Sequence, residues 1–209
     1  MNLLLLEKRT LPANVKKTAR KVAAAREAQA SSLMNDTGLL MLRVSTGGLL
    51  AGHGSQKLFG WFNGPGFKGF AGFMESMGLK PGTAWATAAA AGEFGGGVLN
   101  TLGLLHPLGP MGMIGAMIMA TAKAHWGKPI WSSAGGPELP VTNIASALAI
   151  TLTGPGRFSL DRLFGIRLPR ALVIAAAVLE IIVLALGIRS RPAPAPTSAG
   201  KDTTTAAAR

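Results

Sequence analysis

The sequence predicts an all-α membrane helix bundle: a four-helix core with a fifth transmembrane helix added. Three observations predict it. Hydrophobic residues make up 48% of the 209, and charged residues only 14%, well under the roughly 25% of a soluble domain. The apolar residues gather into runs that can cross about 30 Å of hydrocarbon at a helical rise of 1.5 Å per residue. Glycine is abundant, with 28 residues, which suits close helix packing in lipid.

Residues 1–37 read as a basic cytoplasmic tail, partly helical over the alanine-rich stretch 15–30. Met1–Leu6 has only four consecutive leucines and no basic residue ahead of them. It is not read as a signal peptide, so insertion falls to the first span. That span is Gly38–Leu58, with Gly48-x-x-x-Gly52 as its packing motif. Residues 60–83 form a Gly/Pro-punctuated loop, with a short interfacial helix near Phe67–Met77. The second span, Thr83–Leu105, contains Glu93 and Gly92-x-x-x-Gly96. A tight turn at His106-Pro107 leads to the third span, Leu108–Trp126. The Pro/Gly loop 128–140 precedes a short fourth span, Leu139–Thr153. Gly154-Pro155-Gly156 ends that span, and the basic segment 157–170 completes the core of 38–170. Ala171–Ile188 is the additional transmembrane helix, and 189–209 is a Pro/Ala/Thr-rich disordered tail.

Cysteine and tyrosine are absent. That excludes disulfides, thiolate metal sites, iron–sulfur clusters and tyrosyl chemistry by this chain itself. The net charge is +12. Its basic residues fall in the tails and one loop, so the lipid bilayer, not nucleic acid, is the expected partner. The same distribution sets the topology, because basic residues mark the cytoplasmic side. The N-terminal segment and the 157–170 loop then lie inside. Trp61, Trp85, Trp126 and Trp131 all fall at the outer interface, where indole rings prefer to sit.

Ionisable groups within spans cost about 2.5–3.5 kcal/mol each and are functional candidates. His53 lies about 22 Å along the first span, and Glu93 about 12–15 Å below the outer surface on the second. Lys57, His125 and Glu138 fall near that surface, so these groups gather in the outer half of the bundle. Arg43 sits nearer the inner face, about 10 Å from Glu93 along the axis. Three readings stand: a polar pocket for a small molecule or quinone head group, an ion-pair network that orients helices, and a metal site of histidines and carboxylates. The reading taken is the pocket, with no metal assigned. His106 reads as a surface histidine at the inner turn. Glu180 has no partner that the sequence identifies.

Five segments carry a resemblance: HGSQKLFGWF (His53–Phe62), AGEFGGG (Ala91–Gly97), AKAHWG (Ala122–Gly127), GGPELP (Gly135–Pro140) and GPGRFSLD (Gly154–Asp161). In this order they resemble the DoxX family of small bacterial membrane proteins, from Gly38 to Arg162. The resemblance implies a four-helix core in the bacterial cytoplasmic (plasma) membrane. It also implies an association with oxidoreductase complexes, quinone-linked in some members and tied to redox stress in others. The expected function is therefore a membrane subunit of such a complex, multi-pass, with its N-terminus cytoplasmic and protein subunits as partners. His53, Glu93 and His125 are the candidate catalytic residues. Arg43, Gln56, Lys57 and Glu138 are the candidate substrate or quinone pocket. A quinone is the one cofactor considered. The alternative is a non-catalytic scaffold or assembly subunit, and whether the chain is an enzyme stays open.

Overall fold

The computed structural model describes residues 12–190. The leucine run at the N-terminus and the tail expected to be disordered from 191 onward lie outside the described residues. Among the described residues every regular element is helical.

Helix α1 (Ala13–Phe59) is a single rod of 47 residues, about 70 Å long. Its first half is largely exposed, and its second half packs into the bundle. Gly60 ends it in a left-handed conformation. A short 3₁₀ turn (Trp61–Asn63) then leads to α2 (Gly66–Ser76). Next comes a continuous rod made of α3 (Gly82–Ala90), a π-helical turn (Ala91–Gly95) and α4 (Gly96–Leu102). The remaining helices are α5 (Leu108–Ala124), α6 (Glu138–Thr153), the short α7 (Leu160–Phe164) and α8 (Arg170–Arg189).

Close approaches at glycine set the register. A Cβ on Gly47 would lie 2.7 Å from the Gly97 carbonyl, and one on Gly54 would lie 2.5 Å from the Phe94 nitrogen. The α3–α4 rod therefore runs antiparallel to α1. Gly92 meets the Gly112 carbonyl and Gly96 meets that of Gly109, so α5 turns back again. The Gly92-x-x-x-Gly96 motif packs as its spacing predicts. Gly48-x-x-x-Gly52 does not: a Cβ at either position would meet open space. Gly47 and Gly54 face the neighbour instead, because small size makes contact possible while rotation about the helix axis decides it.

Helix α8 lies along α5 in the parallel sense. Glu180 packs on Gly115, Gly187 packs on Met119, and Lys123 Nζ donates to the Ser190 carbonyl. That places a cation at the end of α8, where its last carbonyls are unpaired. Two small cores hold the assembly. Leu50, Met113, Met117 and Ala147 form one; Phe70, Met74, Leu79 and Ala86 join α2 to α3 in the other. Much of the apolar bulk faces outward: Leu49, Leu152, Ile174 and Ile181 are each more than 60% exposed. Among the described residues α8 alone is by itself long and apolar enough to cross a membrane, with mean hydropathy 2.8. Helices α5 and α6 have 17 and 16 residues.

Candidate functional site

The site grows from a defect in the second rod. Across Ala91–Gly95 the backbone widens to a π turn, and the Gly96 N–H reaches back to the Ala91 carbonyl. Such single-turn bulges re-aim one side chain and recur at functional sites. Here that side chain is Glu93. It is 3% exposed, and both its oxygens accept from Lys57 Nζ, which comes from the last turn of α1. Lys57 Nζ also lies 4.9 Å from the centre of the Phe70 ring, a cation–π contact from α2. An ammonium carries three N–H bonds. Two go to Glu93, which leaves one to offer elsewhere.

Beside this pair is a cleft of about 550 Å³ between α2, the α3–α4 rod, α5 and α8. Phe70, Phe73, Met111, Met119, Leu179 and Val183 supply much of its apolar wall. Polar groups enter at few points: Lys57 and Glu93, Lys123 and His125, and Glu180. This is the make-up of a site for an apolar molecule with a polar head. Glu180 Oε1 is buried against Gly115 with no well-formed hydrogen bond. Glu93 and Glu180 sit at the same level of α5, since Gly92 faces Gly112 and Ala116 while Glu180 faces Gly115.

His125 ends α5, and its Nδ1 lies 2.7 Å from the Gly135 carbonyl. A carbonyl only accepts, so Nδ1 carries a proton there, and in the neutral ring Nε2 is the acceptor. Glu138 lies outside the cleft. It accepts from the Ser132 N–H at 2.8 Å, and that bond holds its carboxyl below the usual carboxylate range. Together the two contacts tie down the loop after α5.

Of the seven candidate residues, the fold brings Lys57, Glu93 and His125 to the cleft. His53 stands one turn before Lys57 but is exposed and does not line it. Gln56 reaches the Phe62 carbonyl at 3.5 Å, across the turn after α1. Arg43 faces the opposite end of the bundle. It is 1% exposed, and its guanidinium donates to the carbonyls of Pro155 and Phe158. Gly103 makes room for it: φ is +62°, and a Cβ there would fall 2.0 Å from Arg43 Nη1. Asp161 completes this lock by accepting from the N–H groups of Leu105 (2.8 Å) and His106 (2.7 Å). His106 is half-buried against the lock rather than a free surface residue, and burial pushes its ring below the ordinary imidazole value.

Lys123 and Glu180 belong to the cleft although neither is among the seven. Both carried a signal, as charges in apolar helices. What placed Glu180 was the register of α8 on α5, which no local pattern encodes.

The described residues form an all-helical bundle with outward apolar side chains, a charged pair buried beside an apolar cleft, and one helix, α8, apolar enough to cross a membrane. Residues 38–126, a little under half of the chain, match the family model for DoxX, which is a membrane family. The match spans the packed half of α1 through α5 and ends at Trp126, short of the GGPELP and GPGRFSLD segments. No curated protein and no solved structure matches the chain significantly.

Proposed function

We propose that the chain is a membrane subunit of a quinone-linked or redox-stress oxidoreductase complex, and that the α2–α5–α8 cleft is its ligand site. One observation carries the reading: an apolar cleft of about 550 Å³ with a buried Lys57–Glu93 pair in its wall. An apolar ligand would bury against Phe73, Met111 and Leu179, and its polar head would meet the free N–H of Lys57. Glu93 would keep that ammonium in place, and His125 Nε2 offers an acceptor. A quinone fits this lining and, when bound, would supply two-electron, two-proton chemistry. His53 and Arg43 have no contact with the cleft and take no part in ligand binding here. The rods and α8 would cross the bacterial cytoplasmic membrane with the N-terminus and the 157–170 segment inside.

The exposed first half of α1 favours a second reading, a scaffold that docks other subunits. One experiment separates them. The protein is purified in mild detergent, and its bound small molecules and proteins are identified by mass spectrometry, wild type beside Glu93→Gln and Lys57→Met. A bound apolar carbonyl compound in the wild type, lost from both variants, supports the ligand site. Protein partners that persist in both variants, with no small molecule in any, would make the pair a packing device and the chain a scaffold.

A further inference from the structure

A second cavity, of about 920 Å³, lies at the opposite end of the bundle. Its walls are α1 near Ser32 and Asp36, the His106 turn, and the chain from Pro155 to Leu168. Arg157, Arg162 and Arg167, all exposed, are among the residues that line it. None of the three makes a side-chain hydrogen bond or ion pair with another described residue. Two carboxylates share the cavity, and both are already engaged by backbone. Asp161 accepts from two N–H groups with its two oxygens, and Asp36 Oδ1 accepts from the Arg157 N–H at 2.9 Å. Arg43 lies buried nearby with its guanidinium bonded to the Pro155 and Phe158 carbonyls, and it does not line the cavity. Among the described residues, the cavity therefore joins acids engaged by backbone with bases that have no side-chain partner.

Its surroundings identify what supplies the anion. Helix α7 exposes Leu163 and Phe164 by 72% and 67%, directly after Arg162. The apolar α8 begins at Arg170. The arginines thus sit at the level where polar surface gives way to apolar surface, the depth of lipid phosphates. A planar guanidinium offers paired N–H groups that match phosphate oxygens.

We propose that this cavity binds the phosphate group of an anionic membrane lipid. Arg157, Arg162 and Arg167 take the phosphate oxygens, and Leu163 and Phe164 lie against the first carbons of the chains.

The test uses the full chain in nanodiscs of phosphatidylcholine with a minor fraction of phosphatidylglycerol. Retained lipid is counted by native mass spectrometry after release into detergent. The wild type is expected to enrich phosphatidylglycerol. The R157Q/R162Q/R167Q variant should lose that preference by about a hundredfold, at about fivefold per basic residue near an anionic surface. L163S/F164S should lower lipid retention while leaving binding of inorganic phosphate, measured in lipid-free micelles, unchanged. Wild-type unfolding behaviour in both variants shows that they fold. Equal enrichment in wild type and the arginine variant overturns the proposal. Arginine-dependent binding of inorganic phosphate without lipid preference overturns the lipid source and leaves a soluble phosphate as the ligand.

Discussion

Replacing Lys57 with methionine keeps most of the side-chain volume and removes the cation from a carboxylate whose side chain is only 4% exposed. Breaking a buried pair from one side costs about 3–5 kcal/mol, because the survivor stays desolvated and unpaired. The pair is not fully buried, since the Lys57 side chain is 26% exposed, so the lower end, about 3 kcal/mol, is expected. Glu93→Gln is not the mirror image. It strands a lysine that keeps the Phe70 ring and can turn toward the outside, and costs about 1–2 kcal/mol. Combining the two changes leaves no buried charge. Such double replacements are often close to neutral, so the double variant should be more stable than Lys57→Met alone. The assay titrates dodecyl sulfate into maltoside micelles at pH 7 and follows tryptophan fluorescence, with Trp85 reporting from the cleft wall. With the double variant close to neutral, the four unfolding free energies form a cycle with a coupling of about 4–5 kcal/mol. A double variant as damaged as the sum of the singles would refute the argument, because the two charges would then be acting independently.

Three further expectations follow from neighbouring contacts. Gly97→Ala places a Cβ 2.6 Å from the Ala51 nitrogen and the Gly47 carbonyl, whereas Gly95→Ala meets nothing within 4 Å. The first should cost about 1–3 kcal/mol and the second should be neutral or stabilise by about 0.5–1 kcal/mol, in the same titration. Asp161→Asn removes the charge that faces Arg43 and weakens the bonds from Leu105 and His106. It should cost about 2–4 kcal/mol, and limited proteolysis should cut first between 154 and 168. Glu138 is expected to give its loop a pH dependence. A carboxyl lowered in the fold contributes stability above its ordinary value near 4.5 and loses it as pH falls through the lower folded value. Protection of the Ser132 amide, corrected for intrinsic exchange, should be flat above the ordinary carboxyl value of 4.5 and fall only at lower pH, with no such fall in Glu138→Gln.

Much of the site was legible one residue at a time. Lys57, Glu93 and His125 stand out as ionisable groups in apolar helices, and helical rise alone put all three in one half of the bundle. The π turn was not legible, because AGEFG differs from an ordinary helical segment only in its glycines. The lock of Arg43 with the Gly154–Asp161 segment was also hidden. It joins residues more than a hundred positions apart, and its acceptors are backbone carbonyls that no side-chain pattern announces. His53 failed to reach the cleft for a simpler reason. Depth along a helix follows from counting residues, but the face a residue presents depends on where the neighbouring helices pack.

Five short motifs carried the DoxX resemblance, while composition and periodicity by themselves determined the helical class, the order of the apolar segments and the charges that lipid would make costly. Those are local quantities, set by transfer energies and by the 1.5 Å rise. Only the tertiary structure decided which glycines are contacts, that α8 lies parallel to α5 with Glu180 in the cleft, and that the arginines of 157–167 line a cavity whose acids are already satisfied. Each of these depends on helix rotation and register, which arise from the fit of many distant side chains at once.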